Sequence, residues 1–465
     1  MAIASINPAN GETVKTYREM TPQEAAAAVD EAHETWKSWR ATSFAERARL
    51  MKKTSAILRG RKNELAKLMA TEMGKPVKQG VAEAEKCALA CDYYADSAEA
   101  ILAPQAIATE ATRSYVAFEP LGVVLAVMPW NFPLWQVYRF AAPALMAGNV
   151  GVLKHASNVP GAALAIESMF LEAGFPKGAF RTLLIGSAGV QGVIEHRHVR
   201  AVTLTGSTPA GRSVASQAGQ VLKKSVLELG GSDPYVVLED ADLELAVQTC
   251  VNSRLINAGQ SCIAAKRFIV VAPALGEFTD RFVALMKAKK VGDPFDDATE
   301  VGPLARHDLR AGLHQQVLAS IERGAKVFLG AELPSGPGAF YPPTVLAGVR
   351  PGNPAFDEEL FGPVAALIEA KDEADAVRLA NATTFGLGAA VFTRDLQRGE
   401  RVARQFESGA AFVNSLVASD PRLPFGGIKE SGYGRELGSF GIKEFVNVKS
   451  VYIKALPPAP AFGTE

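Results

Sequence analysis

In the stretch TPQEAAAAVDEAHETWKSWR, residues 21–40, the apolar positions Ala25, Ala28, Val29, Ala32, Trp36 and Trp39 recur at helical spacing. Thr21 and Glu24 stand at the spacing of a capping box around Pro22, so the helix is expected to begin there. Further helical spacing runs to about residue 100, with Gly60 and Gly74 as expected C-terminal caps. The first hundred residues therefore predict an α-rich block.

From about residue 115 the period changes. SYVAFE, GVVLAVM, GVLKHA, RTLLIG and AVTLTG predict strands, with helical stretches between the later ones. Strand and helix in turn mark βαβ units and a parallel sheet. Beyond SVLELGGSDPYVVLED a second alternating series follows: RFIVV, AKVFLG, VAALIEA, GAAVFT and GAAFVN. Two α/β domains are expected to meet near residue 228. No internal repeat is visible, and the tail LPPAPAFGTE is expected to be loose.

Composition narrows the class. A chain of 465 residues is too long for one compact core. With 48% hydrophobic and 21% charged residues it has the profile of an ordinary soluble globular protein. Its 49 basic and 49 acidic residues give no global field toward nucleic acid or an anionic membrane, so charge recognition must be local. The opening AIASINPANGE lacks the basic and apolar regions of a secretory signal. GVVLAVMPWNFPLW, the most apolar window, is broken by prolines and too short to span a bilayer. The four cysteines, at 87, 91, 250 and 262, show no CxxC pair and no His at ligand spacing. Neither a disulfide framework nor a metal site is expected, and a reducing cytoplasm fits.

Five short stretches could carry chemistry. In NAGQSCIAAK, Cys262 is either a buried apolar filler or a nucleophile, with Gly259 allowing close backbone approach. In LELGGSDP, Glu228 puts a carboxylate at the end of an apolar strand, as a general base or half of a salt bridge. In VMPWNFPLWQVYRF, Asn131 sits in a rigid apolar frame, placed to donate to an oxyanion or to cap a helix starting near Pro133. In GVLKHASNVP, Lys154 ends a strand, where a doubly wound sheet binds ligands, and Asn158 is the expected cap of a helix starting near Pro160. There Lys154 either meets a ribose or phosphate or is simply solvated. In TLTGSTPAGRSVA, a strand, a Gly206–Ser207 turn and a helix offer amides to a pyrophosphate, without a GxGxxG or Walker signature.

Taken together and in order, these stretches resemble the aldehyde dehydrogenase superfamily. The matching pieces are MPWNFP at 128–133, LKHAS at 153–157, TGST at 205–208, LELGG at 227–231, GQSC at 259–262, EELFGPV at 358–364 and PFGGIKESGYGRE at 424–436. The resemblance implies that Cys262 attacks an aldehyde carbon, giving a thiohemiacetal. Asn131 and the Cys262 amide would hold the oxyanion, hydride would pass to a nicotinamide, and Glu228 would activate the water that hydrolyses the thioester. Glu359 and Phe361 would contact the nicotinamide ribose and ring. Trp130, Lys154 and Ser207, beside Gly206 and Ser157, would meet the adenosine half or the pyrophosphate. The implied architecture is a Rossmann-type cofactor domain (1–105 and 122–227), an α/β catalytic domain (228–420) and a small β oligomerisation element (106–121 and 440–465). A homodimer or homotetramer should follow.

Within that family, PWNFPLWQVYR, LKHASN, LELGGSDP and VASDPRLPFGG are most similar to a short bacterial branch that oxidises succinate semialdehyde. The resemblance implies that Arg139 and Ser419 bind the substrate carboxylate, for which a guanidinium offers paired donors. Arg254 and Arg422 are further candidates. Where many NAD-dependent relatives carry Glu three residues after the lysine, this chain has Ser157, which admits a 2′-phosphate and favours NADP over NAD. His155 departs from the family's usual proline. Ile263, Ala264 and Ala265 leave Cys262 without an adjacent thiol, so no vicinal disulfide switch is expected. Rival readings are another acidic semialdehyde such as glutarate or α-ketoglutarate semialdehyde, a broad-range dehydrogenase, a CoA-acylating enzyme, and a non-enzymatic fold relative. Glu228 argues against the CoA-acylating reading.

Overall fold

The computed structural model describes residues 3–456. Most of the expected tail, 457–465, lies outside the described residues, as does the end of the expected oligomerisation element. After an antiparallel hairpin of Ile3–Ile6 and Thr13–Tyr17 come four helices, Pro22–Trp39, Phe44–Gly60, Lys62–Met73 and Val77–Ile101. The first carries the capping box as read, with Thr21 Oγ accepting from the Glu24 amide at 3.2 Å. Gly74 ends the third helix in the left-handed region at φ 76°. Gly60 does not cap: it stays helical, and Arg61 passes the chain directly into the next helix.

The expected strands of the next stretch form a six-stranded sheet. Its order is Gly432–Tyr433, Lys224–Glu228, Val199–Thr205, Val123–Met128, Val150–His155 and Phe180–Thr182, parallel except for the short first strand. Counting its parallel strands in chain order gives 3-2-1-4-5, the doubly wound arrangement. The order reverses between Val123–Met128 and Val199–Thr205, so a crevice opens beyond their carboxyl ends. Strands buried on both faces need continuous apolar runs, hence VVLAVM and AVTLT.

A second, seven-stranded sheet runs Lys326–Leu329, Thr344–Ala347, Val364–Ala370, Arg267–Val271, Pro234–Val237, Gly388–Phe392 and Ala410–Val413. Only its first strand is antiparallel. Separate apolar cores serve the two sheets, the second built from residues between Tyr235 and Val417. The C-terminal strand Val446–Ile453 pairs antiparallel with Arg113–Pro120, which also holds Gln105–Ala106, in a three-stranded sheet.

Candidate active site

Cys262 lies on a loop that follows the helix Leu243–Leu255. Asn257, Ala258 and Gly259 all adopt positive φ, 52°, 53° and 76°. Such a run is strained and must be held from outside. The Asn257 side chain donates to Asn131 O at 2.7 Å and Gln260 O at 3.1 Å, and Gln79 accepts from the Asn257 amide at 2.8 Å. Arg254 donates to Gly259 O at 2.6 Å, and Lys266 Nζ donates to Ser261 O and Cys262 O at 2.8 and 2.7 Å. Gly259 has no substitute here, since a Cβ would lie 2.2 Å from Gly362 O.

The clamped loop sets Cys262 at the junction of two cavities, both of which it lines. Burial pushes its thiol up to about 12, against the pull of Arg139 and Lys266.

The first cavity, 350 Å³, occupies the switch-point crevice. Trp130, Asn131, Gly206, Ser207, Glu359 and Phe361 line it. Trp130 meets Phe361 edge to face, with centroids 5.8 Å apart. Ser207 is the N-cap of the helix Thr208–Gln220, and its side chain makes no capping bond, so the first-turn amides lack that acceptor. Glu359 accepts from the Gly231 amide at 3.0 Å and lies 3.4 Å from Lys266. These features suit a pyrophosphate followed by a nicotinamide ribose and ring. Lys154 and Ser157 do not line this cavity. They stand at the carboxyl end of the neighbouring strand, where an adenosine would continue. Lys154 is buried, and desolvation lowers its ammonium while the Glu19 carboxylate opposes the shift.

Asn131 is not a helix cap. The helix begins at Trp135, and Glu83 accepts from both the Leu134 and Trp135 amides at 2.9 Å. The Asn131 amide donates instead to Gln260 O at 3.2 Å, beside Cys262. Asn158 does not cap its helix either. That helix, Pro160–Ala173, has Val159 at its N-cap, and Glu72 takes the Gly161 and Ala162 amides at 2.8 and 2.9 Å.

Glu228 ends its strand as expected, with both carboxyl oxygens buried and without a hydrogen-bond partner. Burial pushes its carboxyl well above the ordinary range, and nearby Glu436 adds to the shift while Arg139 opposes it. Burial thus favours the neutral form of this carboxyl. It lines neither cavity and rests against Gly426, whose Cβ would lie 2.6 Å from Glu228 Oε1.

The second cavity, 220 Å³, has apolar walls that include Phe132, Trp135 and Phe425. Arg139, Ser419 and Lys86 also line it. Arg139 is almost fully buried: it pairs with Glu436, donates to Thr205 Oγ at 3.1 Å and lies 4.7 Å over the Phe425 ring. Ser419 Oγ accepts from Lys86 Nζ at 2.8 Å. Of the remaining candidates, Arg254 is spent on the cysteine loop, and Arg422 is an exposed partner of Asp420 at 2.6 Å.

Sequence reasoning missed Lys86, Lys266 and Glu436. Glu436 sat inside the quoted PFGGIKESGYGRE, but its neighbours there give no sign of Arg139, the buried partner that the fold brings to it. Lys266 lay four residues past the cysteine. For Lys86 the sequence held no signal, because its helix had to be packed against Trp135 first.

A doubly wound sheet whose switch-point crevice meets a second cavity at a cysteine is an arrangement suited to a dinucleotide and a thiol side by side. Residues 1–451 match the aldehyde dehydrogenase family. A Synechocystis sp. protein named "Probable succinate-semialdehyde dehydrogenase [NADP(+)]" is 52% identical over 453 residues, covering 97% of this chain and all of that protein. Mycobacterium bovis succinate-semialdehyde dehydrogenase [NADP(+)] 1 is 50% identical over 456 residues, again covering 97% and 100%. The crystal structure of Streptococcus pyogenes succinic semialdehyde dehydrogenase in complex with NADP+ superposes with a TM-score of 0.96 at 38% identity, covering 98% of this chain and 100% of that one. The chain belongs to the aldehyde dehydrogenase family.

Proposed function

We propose that this protein oxidises succinate semialdehyde to succinate and prefers NADP+ to NAD+. The observation that carries the reading is the position of Cys262. It opens on a switch-point crevice on one side and, on the other, on an apolar cavity ending in Arg139 and Ser419. The relatives named for this activity, and the NADP+ complex of one of them, support the same assignment.

In the reaction proposed, Cys262 gives up its thiol proton to solvent, and the thiolate Sγ bonds to the aldehyde carbon as the carbonyl π bond breaks and its electron pair moves to oxygen. The Asn131 amide and the Cys262 N–H donate to the developing oxyanion. Trp130, Ser207, Glu359 and Phe361 would hold NADP+ along the switch-point crevice, where the nicotinamide would supply the hydride acceptor. Glu228, once ionised and turned from its seat beside Gly426, takes the proton of the water that cleaves the thioester. Arg139 and Ser419 orient the distal carboxylate. Lys154 and Ser157 would flank the adenosine ribose, and Ser157 leaves room for a 2′-phosphate where an acid would repel it.

The proposed division is a cofactor domain of 1–105 and 122–227, a catalytic domain of 228–420, and an oligomerisation element of 106–121 and 440–465. We place the enzyme in the cytoplasm as a homodimer or homotetramer. All four cysteines are free, and among the described residues no helix is long and apolar enough to cross a membrane.

Steady-state kinetics on semialdehydes of three to six carbons and on neutral aldehydes, with both cofactors, tests the reading. Succinate semialdehyde with NADP+ should give the highest kcat/KM. Equal efficiency on butanal would overturn the substrate, and a higher efficiency with NAD+ would overturn the cofactor.

A further inference from the structure

Arg139 enters the substrate cavity already engaged, with Glu436 as its buried counter-ion and Thr205 as a second partner. It is therefore a poor sole partner for a second carboxylate. The same cavity is lined by Lys86, on the helix Val77–Ile101. Its ammonium donates to Ser419 Oγ at 2.8 Å and lies 4.4 Å over the Trp135 ring.

The acids around Lys86 are committed elsewhere. Asp420 is held by Arg422 at 2.6 Å, Glu85 by Lys62 at 2.7 Å, and Glu83 by Lys75. Among the described residues no carboxylate comes within ion-pair distance of Lys86. A charge taken partly out of water without a counter-ion is costly, and an incoming anion relieves that cost. We infer that Lys86 is the principal cation seating the substrate carboxylate, with Ser419 as its hydrogen-bonding partner on the same oxygen pair.

The donor arithmetic fits a carboxylate. An ammonium carries three protons, of which Ser419 takes one. Because the Ser419 oxygen accepts from Lys86, its own proton is free to donate. Lysine and serine thus present at least two donors beside an aromatic face, a seat for one carboxylate at the end of an apolar cavity. Desolvation, with Arg139 adding to it, brings the Lys86 ammonium down to about 8, so it is a cation at neutral pH.

The inference rests on the semialdehyde reading above, and one experiment separates the two. The kcat/KM ratio of succinate semialdehyde to butanal, an uncharged aldehyde of equal length, is measured for the wild type, Lys86→Met, Lys86→Gln and Lys86→Arg. The ratio should fall about tenfold or more in the Met and Gln variants, through KM of the acid rather than kcat, the scale of losing one charge-assisted contact. Lys86→Arg should keep most of the ratio. Gln retains a donor for Ser419, so it stays informative if the Met variant fails to fold. A wild-type preference for the acid that survives in both neutral variants would overturn the Lys86 assignment alone. A wild type without that preference overturns the substrate reading, and the assignment with it.

Discussion

At the scale of single residues, Cys262 shows two opposed effects. Burial disfavours the thiolate, while Lys266 and Arg139 favour it, and burial wins, leaving the thiol at about 12. Iodoacetamide alkylation of the cofactor-free enzyme should therefore climb about tenfold per pH unit through pH 9, in step with a small thiolate fraction. A plateau near pH 8 would show a pre-formed thiolate and contradict this balance. Ser157 offers a second test. Placing a carboxylate there by Ser157→Glu sets two like charges close together once a 2′-phosphate binds, a repulsion of about 4 kcal/mol at intermediate dielectric. The NADP+ to NAD+ ratio of kcat/KM should drop at least about tenfold, and an unchanged ratio would place the phosphate elsewhere. Cys262, Glu228 and Asn131 could be singled out in the sequence because each sits in a motif of unusual neighbours. Glu436 and Lys86 could not, since their partners, Arg139 and Ser419, are brought to them only by the fold.

At the scale of elements, helix N-termini at and near the site are closed by carboxylates from the N-terminal helical block. Glu83 takes the Leu134 and Trp135 amides, and Glu72 takes those of Gly161 and Ala162. That is why local reading located the helix Pro22–Trp39, cap and all, yet assigned Asn158, and as an alternative Asn131, to caps they do not make. A capping box is written in four adjacent residues, whereas Glu83 lies some fifty residues before the amides it holds. Glu83 also carries a mechanical load, because it is the buried partner of Lys75, whose ammonium sits 3.8 Å over the Phe132 ring. Glu83→Gln removes the charge and leaves Lys75 buried and unpaired. Breaking a buried pair in this way costs about 3–5 kcal/mol. Chemical denaturation should show that loss, and kcat should fall with it, because the Lys75 ammonium packed over Phe132, next to Asn131, loses its counter-ion. Unchanged stability would mean that Lys75 finds another partner or sheds its proton.

For the whole molecule, the alternation of strand and helix was readable, because doubly buried strands such as Val123–Met128 are uninterrupted apolar runs. The strand order was not readable. Nothing in AVTLTG says that it lies beside GVVLAVM rather than RTLLIG, so the crevice between them emerges only in three dimensions. The same holds for the sheet edges. The seven-stranded sheet ends on Ala410–Val413, and the three-stranded sheet ends on Val446–Ile453, where Val448 and Tyr452 are 61% and 57% exposed. An edge strand of this length with large apolar side chains invites pairing, and a lone chain would gain by covering it. Isologous pairing through this element is the simplest closed arrangement. Light scattering at micromolar concentration should therefore give a dimer or tetramer mass. The double substitution Val448→Asp and Tyr452→Asp, which charges the edge without touching either cavity, should shift that mass toward the single chain. A wild-type enzyme that runs as one chain, or a double variant with unchanged mass, would move the interface away from this strand.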